Sequence, residues 1–196
     1  MPITRCQWAC ASPLEQQYHD TEWGVPLHDE RKLFEFLILE GAQAGLSWST
    51  ILNKREGYRA AFDNFDALKI AAYDDKKIAQ LLGNPAIVRN RLKVNAAVTN
   101  ARIYLEIMQK PGGFDEWVWR FVDGRSRHNN FQKMEDVPAN TPQSDLMARE
   151  MKKRGFKFVG TTICYAFMQA TGMVNDHTSD CFRCREIVDF KFPSGQ

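Results

Sequence analysis

The sequence predicts an all-α fold. Cap, helix and breaker signals recur along the whole chain, and Val, Ile and Thr never gather into a period-two run. Strand content is therefore expected near zero. Ser12-Pro13-Leu14-Glu15 reads as a capping box with proline at the first helical position, so a short helix should carry Gln16 to His19. Asp29 caps a helix from Lys32 to about Ala42, and Ser47 caps another from Trp48 to Phe62. Asp66 and Asp74 open two shorter helices, the second broken by Asn84-Pro85. A long pattern from Arg89 to Met108 ends at Pro111-Gly112-Gly113. The aromatic EWVWRFV segment is one more helix, closed by Asp123-Gly124. Thr141-Pro142 starts the next, which Gly155 ends, and Gly160 to Thr171 supplies the last before Gly172.

A chain of 196 residues suffices for one domain with a real core and hardly for two. Without repeats, low-complexity tracts or long linkers, residues 1–196 are expected to form one unit. No run of eighteen apolar residues exists, which excludes a membrane-spanning helix. The N-terminal MPITRCQWACASPLEQQ is basic only at Arg5 and has no apolar core, so no secretory signal is expected. Five cysteines, an odd number, argue against a disulfide framework and for the cytoplasm. Lys plus Arg number 26 against 24 acids, and a net of +2 does not by itself announce a nucleic-acid binder.

Cys6 and His19 lie near one end of the chain, and His177 and Cys181 near the other. Two Cys and two His suit a closed tetrahedral zinc site, and a metal joining the termini would tie both down. The spacings themselves, C-x12-H and H-x3-C, are weak patterns, and a buried cysteine beside a surface histidine is the commoner arrangement. Cys184 competes with Cys181 as the sulfur ligand, and Cys10 with Cys6.

On the helix after Asp29, Leu33, Leu37, Glu40 and Ala44 fall within about 60° of one another. Glu40 thus sits in the apolar stripe, where a carboxylate costs several kcal/mol unless it snorkels out or finds a partner such as an arginine. The following GAQAGLSW bend lets Glu40 and Trp48 face one cavity, with Trp8, Tyr18 and Trp23 arriving from the N-terminal segment. A carboxylate ringed by Trp and Tyr suits a flipped, electron-poor base: faces to stack on and an acceptor for its amine. Aromatics at helical spacing are nonetheless more often core than pocket.

Ala86 to Lys93 reads AIVRNRLK, placing Arg89, Arg91 and Lys93 between a breaker and a long helix. This is the form of a helix-hairpin-helix, whose backbone amides and flanking cations hold a phosphate. Lys152-Lys153-Arg154 with Lys157 makes a second basic cluster at another helix end. Either cluster alone is more often a solvated face.

Taken together, YHDTEWGVP at 18–26, LEGAQAGLSWSTILNKREGYRAAF at 39–62, RGFKFVGTTICYAFMQATGMVNDH at 154–177 and Cys6-x-Trp8 span nearly the whole chain. In these runs the sequence resembles the bacterial 3-methyladenine DNA glycosylases of the constitutive type I class, within the helix-hairpin-helix glycosylase superfamily. The resemblance implies an all-α fold with one structural zinc ion tying the terminal segments through Cys6, His19, His177 and Cys181. It implies a base pocket of Trp8, Tyr18, Trp23, Glu40 and Trp48, with Glu40 carrying the chemistry. It implies duplex-probing residues Gln43 and Leu46, and a double-stranded DNA partner bearing an alkylated base. Three places depart from the pattern. Glu15 stands where the family commonly has a second pocket tyrosine, Asn84-Pro85-Ala86 lacks the usual hairpin glycine, and the tail from Phe182 to Gln196 matches nothing in it.

Most members of that superfamily use an aspartate beyond the hairpin to assist departure of the base, yet no Asp occurs between Pro85 and Phe114. An N3-methylated adenine is cationic while attached to the sugar and already a good leaving group, so extrusion and selective binding are the main tasks. The expected activity is excision of 3-methyladenine by a monomer, leaving an abasic site. Two rivals stand beside it: a zinc-stapled DNA-binding module without catalysis, and a glycosylase shifted by Glu15 toward other cationic bases.

Overall fold

The computed structural model describes residues 3–188. Ten α-helices account for most of them: α1 Pro13–Thr21, α2 Glu30–Gln43, α3 Trp48–Ala61, α4 Ala67–Ala71, α5 Asp75–Gly83, α6 Arg91–Met108, α7 Gly113–Trp119, α8 Pro142–Lys153, α9 Thr161–Ala170 and α10 Phe182–Val188. The caps expected from sequence are in place. Side chains of Asp29, Ser47, Asp66, Asp74 and Thr141 each accept a backbone N–H from the first turn they precede, which satisfies otherwise orphaned donors.

Three elements differ from the sequence reading. At Ser12 the capping box is half formed: Ser12 accepts from the Glu15 N–H, but its hydroxyl then donates to the Glu15 carboxylate at 2.9 Å instead of the carboxylate reaching backbone. The long helix starts at Arg91, because Asn90 is its cap and accepts from the Lys93 N–H. Helix α10 was not expected, since seven residues carry too little periodicity to read. Part of the unplaced tail is therefore helical, and residues 189–196 lie outside the described ones. Among the described residues, strand is confined to two parallel pairs, Arg127–His128 beside Val174–Asn175.

Helix α2 lies at the centre, packed against α3, α6, α7 and α9, and every residue from Leu33 to Ala42 is buried. This is why its stripe is hard to read: there is no solvated face to contrast with it. Two carboxylates go down with it. Glu35 accepts from Arg55 at 2.7 Å and Arg59 at 2.8 Å, and Arg55 also pairs with Glu22 at 2.8 Å. Glu40, five residues on, has no such partner.

The chain ends meet. The Phe182 N–H donates to the Thr4 carbonyl at 3.0 Å, and the turn after α1 passes directly under His177. Gly24 holds that turn with φ +76°, and a Cβ there would stand 3.0 Å from His177 Nε2, so no other residue fits without displacement.

Candidate active site and Cys/His cluster

A cavity of about 250 Å³ opens between α1, the start of α3, the end of α2 and α9. Its lining includes Trp8, Tyr18, Trp23, Glu40 and Trp48, the five expected to share it, together with Gln43, expected at the duplex, and with Glu15 and Gln169. The rings form a continuous wall. Tyr18 and Trp48 are tilted at 42° with centroids 5.3 Å apart, and Trp8 meets Trp23 edge-on at 5.1 Å. Tilted rings around a void leave faces free for a flat guest.

Glu40 is 3% exposed, and the chain brings no arginine to it: its Oε2 is buried and has no hydrogen-bond partner. Burial alone pushes its carboxyl from an ordinary 4.5 up to about 8, because a charge there has lost water and gained nothing. The neighbouring Tyr18 phenol is pushed up by burial and then by Glu40. Trp48 Nε1 is a second orphan in the same cavity. An acid and an indole N–H, each buried and unpaired, cost free energy in the empty state, a loss expected where a guest completes the bonding.

Gln43 ends α2, and Leu46 sits on the bend between α2 and α3. Gln43 reaches the cavity, while Leu46 is 41% exposed and projects outward beside Gly45.

The connection between α5 and α6 docks on α3, where Gly57 leaves room for the Ala86 carbonyl: a Cβ there would overlap that oxygen. Its amides are largely occupied. The Ala86 N–H donates to Asn84 Oδ1 at 2.9 Å, the Val88 N–H to the Tyr58 hydroxyl at 3.2 Å and the Asn90 N–H to the Val88 carbonyl at 2.9 Å. The expected cradle of amides is thus mostly closed by internal bonds, and Arg89 and Arg91 beside it are exposed. Lys93 is placed differently from the two arginines. Its ammonium turns inward and donates to the Ala42 and Ala44 carbonyls at 2.7 and 2.6 Å, closing the end of α2 where helix carbonyls lack partners. Burial lowers its pKa accordingly.

Against the wall behind Trp23, the ligand atoms of Cys6, His19, His177 and Cys181 lie within 4.8 Å of one another, and all four residues are buried. Both sulfur ambiguities resolve: Cys10 is exposed and Cys184, though buried, is not in the group. A tetrahedron with metal–sulfur bonds of about 2.3 Å and metal–nitrogen bonds of about 2.05 Å has S–N edges of about 3.5 Å and an N–N edge of about 3.3 Å. Here Cys181 Sγ is 3.4 Å from His19 Nε2 and 3.5 Å from His177 Nδ1, Cys6 Sγ is 3.5 Å from His177 Nδ1, and the two ring nitrogens are 3.1 Å apart. The outward ring nitrogens are also fixed. His177 Nε2 donates to the Trp23 carbonyl at 3.0 Å, and His19 Nδ1 to Asp20 at 2.8 Å, itself held by Arg5. Those bonds leave the inward nitrogens as lone pairs, the state a metal requires.

Sequence reasoning left Gln169 out of the site. The available signal was a lone amide in the apolar CYAFMQA run of α9, three residues after the cavity-lining Ala166.

The profile of the methyladenine glycosylase family matches residues 8–184. DNA-3-methyladenine glycosylase 1 of Escherichia coli K12 is 49% identical over 91% of this chain and 96% of its own. A crystal structure of 3-methyladenine DNA glycosylase I superposes with a TM-score of 0.89 at 52% identity, covering 91% of this chain and 98% of that one. A tyrosine-to-phenylalanine variant of such an enzyme, solved in complex with 3-methyladenine, superposes with a TM-score of 0.88 at 34% identity, over 92% of this chain and 97% of that one.

Proposed function

The chain belongs to the methyladenine glycosylase family, and on that premise we propose that it excises 3-methyladenine from alkylated duplex DNA, cleaving the N-glycosidic bond to leave an abasic site. The observation that carries the reading is Glu40: a buried carboxyl without a partner at the floor of an aromatic cavity of base size. With its pKa near 8, Glu40 meets a neutral adenine as a neutral acid. A methylated, cationic adenine is different, because binding it rewards loss of the Glu40 proton with an ion pair out of water. The exocyclic amine then donates to the carboxylate while Trp48 and Tyr18 stack on the rings. Selection for the lesion is selection for its charge, and the same charge makes the base a ready leaving group once water attacks the sugar.

Gln43 and Leu46 would fill the space left in the duplex. Arg89 and Arg91, at the turn of a helix-hairpin-helix, would hold the strand by its phosphates. The Cys6, His19, His177 and Cys181 group fits zinc, which would be structural, since four protein ligands leave no open position. A monomer working in the cytoplasm accords with isolated lesions as targets.

Chromatography of bases freed from methylated duplex DNA tests the reading. Free 3-methyladenine with matching abasic sites is expected, and binding without release would mean a non-catalytic module. Glu15 on the cavity wall favours one second reading, a pocket tolerant of other cationic purines. Release of 7-methylguanine in comparable amount would decide for it.

A further inference from the structure

Gln169 and Asp176 form an arrangement that the reaction as described does not use. Asp176 is fully buried, and its carboxylate receives three donors: Asn129 Nδ2 at 2.7 Å, the Tyr165 hydroxyl at 2.6 Å and Gln169 Nε2 at 2.8 Å. In all three bonds the Asp176 oxygen is the acceptor, and both of its oxygens are taken. The end of the Gln169 amide that faces it must therefore be the NH2, whichever way round the amide is drawn, because the alternative sets two oxygens against each other at hydrogen-bond distance. The Asp176 oxygens are themselves held from separate elements, by α9 through Tyr165 and by the segment after β1, Arg127–His128, through Asn129. The amide cannot turn by carrying the carboxylate with it.

Gln169 also lines the base cavity, on the helix packed beside α2, which bears Glu40. Its nitrogen is committed to Asp176, and its Oε1 makes no hydrogen bond among the described residues. From this we infer that Gln169 Oε1 is a second, orientation-locked acceptor for the base, and that Asp176 is the positioning residue which fixes its polarity.

The inference rests on the excision reading and adds the purine edge to what the site recognises. An exocyclic amine carries two hydrogens, and the cavity then offers two acceptors, Glu40 and Gln169, from neighbouring helices. A 6-oxo purine brings an oxygen to the same place. Facing Gln169 Oε1 it would bring no hydrogen to share, a mismatch that buried polar groups make costly, whereas Glu40, a neutral acid toward an uncharged base, can still donate to it. Charge selects the alkylated base, while the fixed acceptor of Gln169 selects the 6-amino purine among alkylated bases. The amide's fixed polarity keeps Gln169 from turning to donate, which a free glutamine would do for either edge.

Titration of intrinsic tryptophan fluorescence with 3-methyladenine and with its 6-oxo counterpart, 3-methylhypoxanthine, tests the inference in the full chain. Gln169→Met keeps the length of the wall and removes the acceptor. The preference for the amino base should fall by about tenfold in this variant, a change in a ratio that general loosening of the pocket would not produce. An unchanged preference in a folded Gln169→Met protein overturns the inference, while release of 3-methyladenine by the unmodified protein keeps the excision reading intact. Loss of release in the unmodified protein would instead strike the excision reading alone. Should Gln169→Met fail to fold, hydrogen exchange of the Gln169 side-chain amide in the unmodified protein decides. Slow exchange is expected for an NH2 held on Asp176, and exchange at the rate of an exposed glutamine would put the nitrogen in the cavity and overturn the assignment.

Discussion

Replacing Glu40 by Gln should stabilise the free protein while impairing it. Below pH 4.5 the carboxyl is protonated in both folded and unfolded chains, and its cost is only the pH-independent one of a buried, unpaired polar group. Between 4.5 and about 8 the unfolded chain releases the proton while the folded chain keeps it, so the wild type loses stability as pH rises through that window and levels off above it. At about 1.4 kcal/mol for each tenfold in proton affinity, the loss is about 3 kcal/mol at pH 7 and about 5 kcal/mol at pH 9. The glutamine amide has no such dependence, and its own burial is a constant offset of about 1–3 kcal/mol. The measurable quantity is the gap between variant and wild type in urea unfolding, followed by far-UV circular dichroism at pH 4.5, 7 and 9. That gap should open with pH in favour of the variant. Release of 3-methyladenine should fall by about 10- to 100-fold, the worth of a charge-assisted hydrogen bond. Parallel pH profiles for the two proteins would show that Glu40 is not a desolvated acid, and the account of lesion selection by charge would go with it.

Metal analysis should find one zinc per chain. Cys181→Ala should lose the zinc and lower the thermal midpoint by about 10 °C or more, and an unchanged midpoint would remove the structural role. Trp48→Ala should weaken binding of free 3-methyladenine by about 10- to 100-fold, the cost of one stacking face, as read by isothermal titration. Arg89→Ala should reduce the slope of log affinity for undamaged duplex against log salt by about one, with free-base binding unchanged. An unaltered slope would take Arg89 off the phosphate path.

The fold was legible where chemistry is local. Caps such as Asp29, Ser47 and Thr141 announce themselves because a short acceptor before an amphipathic run has few other uses. Glu40 was legible as an anomaly, since a carboxylate in an apolar stripe is a physical contradiction that invites a reason. The sequence could not choose between Cys181 and Cys184, three residues apart and both buried, because the choice depends on how α10 turns its first residues. For a related cause the sequence does not show where the Lys93 ammonium goes. A lysine at a helix start beside two arginines looks like a phosphate contact, and only tertiary structure shows the end of α2 waiting for it. Gln169 escaped because the meaning of an amide lies in which end is tied, and the partner that ties it, Asp176, belongs to another segment.

The Cys/His group and the base cavity share their construction. Cys6 stands two residues from Trp8, His19 follows Tyr18, and His177 follows Asp176, which orients Gln169. The Trp23 carbonyl receives His177 Nε2 while the Trp23 ring lines the cavity. Trp8 and Tyr18 thus stand within two residues of the cluster, Trp23 is bonded to it through its carbonyl, and Gln169 is tied to the residue before His177. The arrangement answers an energetic problem. An empty cavity holding an unpaired acid favours collapse, and terminal segments are the parts of a chain most free to move into it. Binding the two termini to each other from behind holds Trp8 and Tyr18 in the wall, their ring centroids 6.3 Å apart, at a cost borne by the cluster rather than by the pocket. The void can then stay open for a guest, and Glu40 can stay unpaired until that guest arrives.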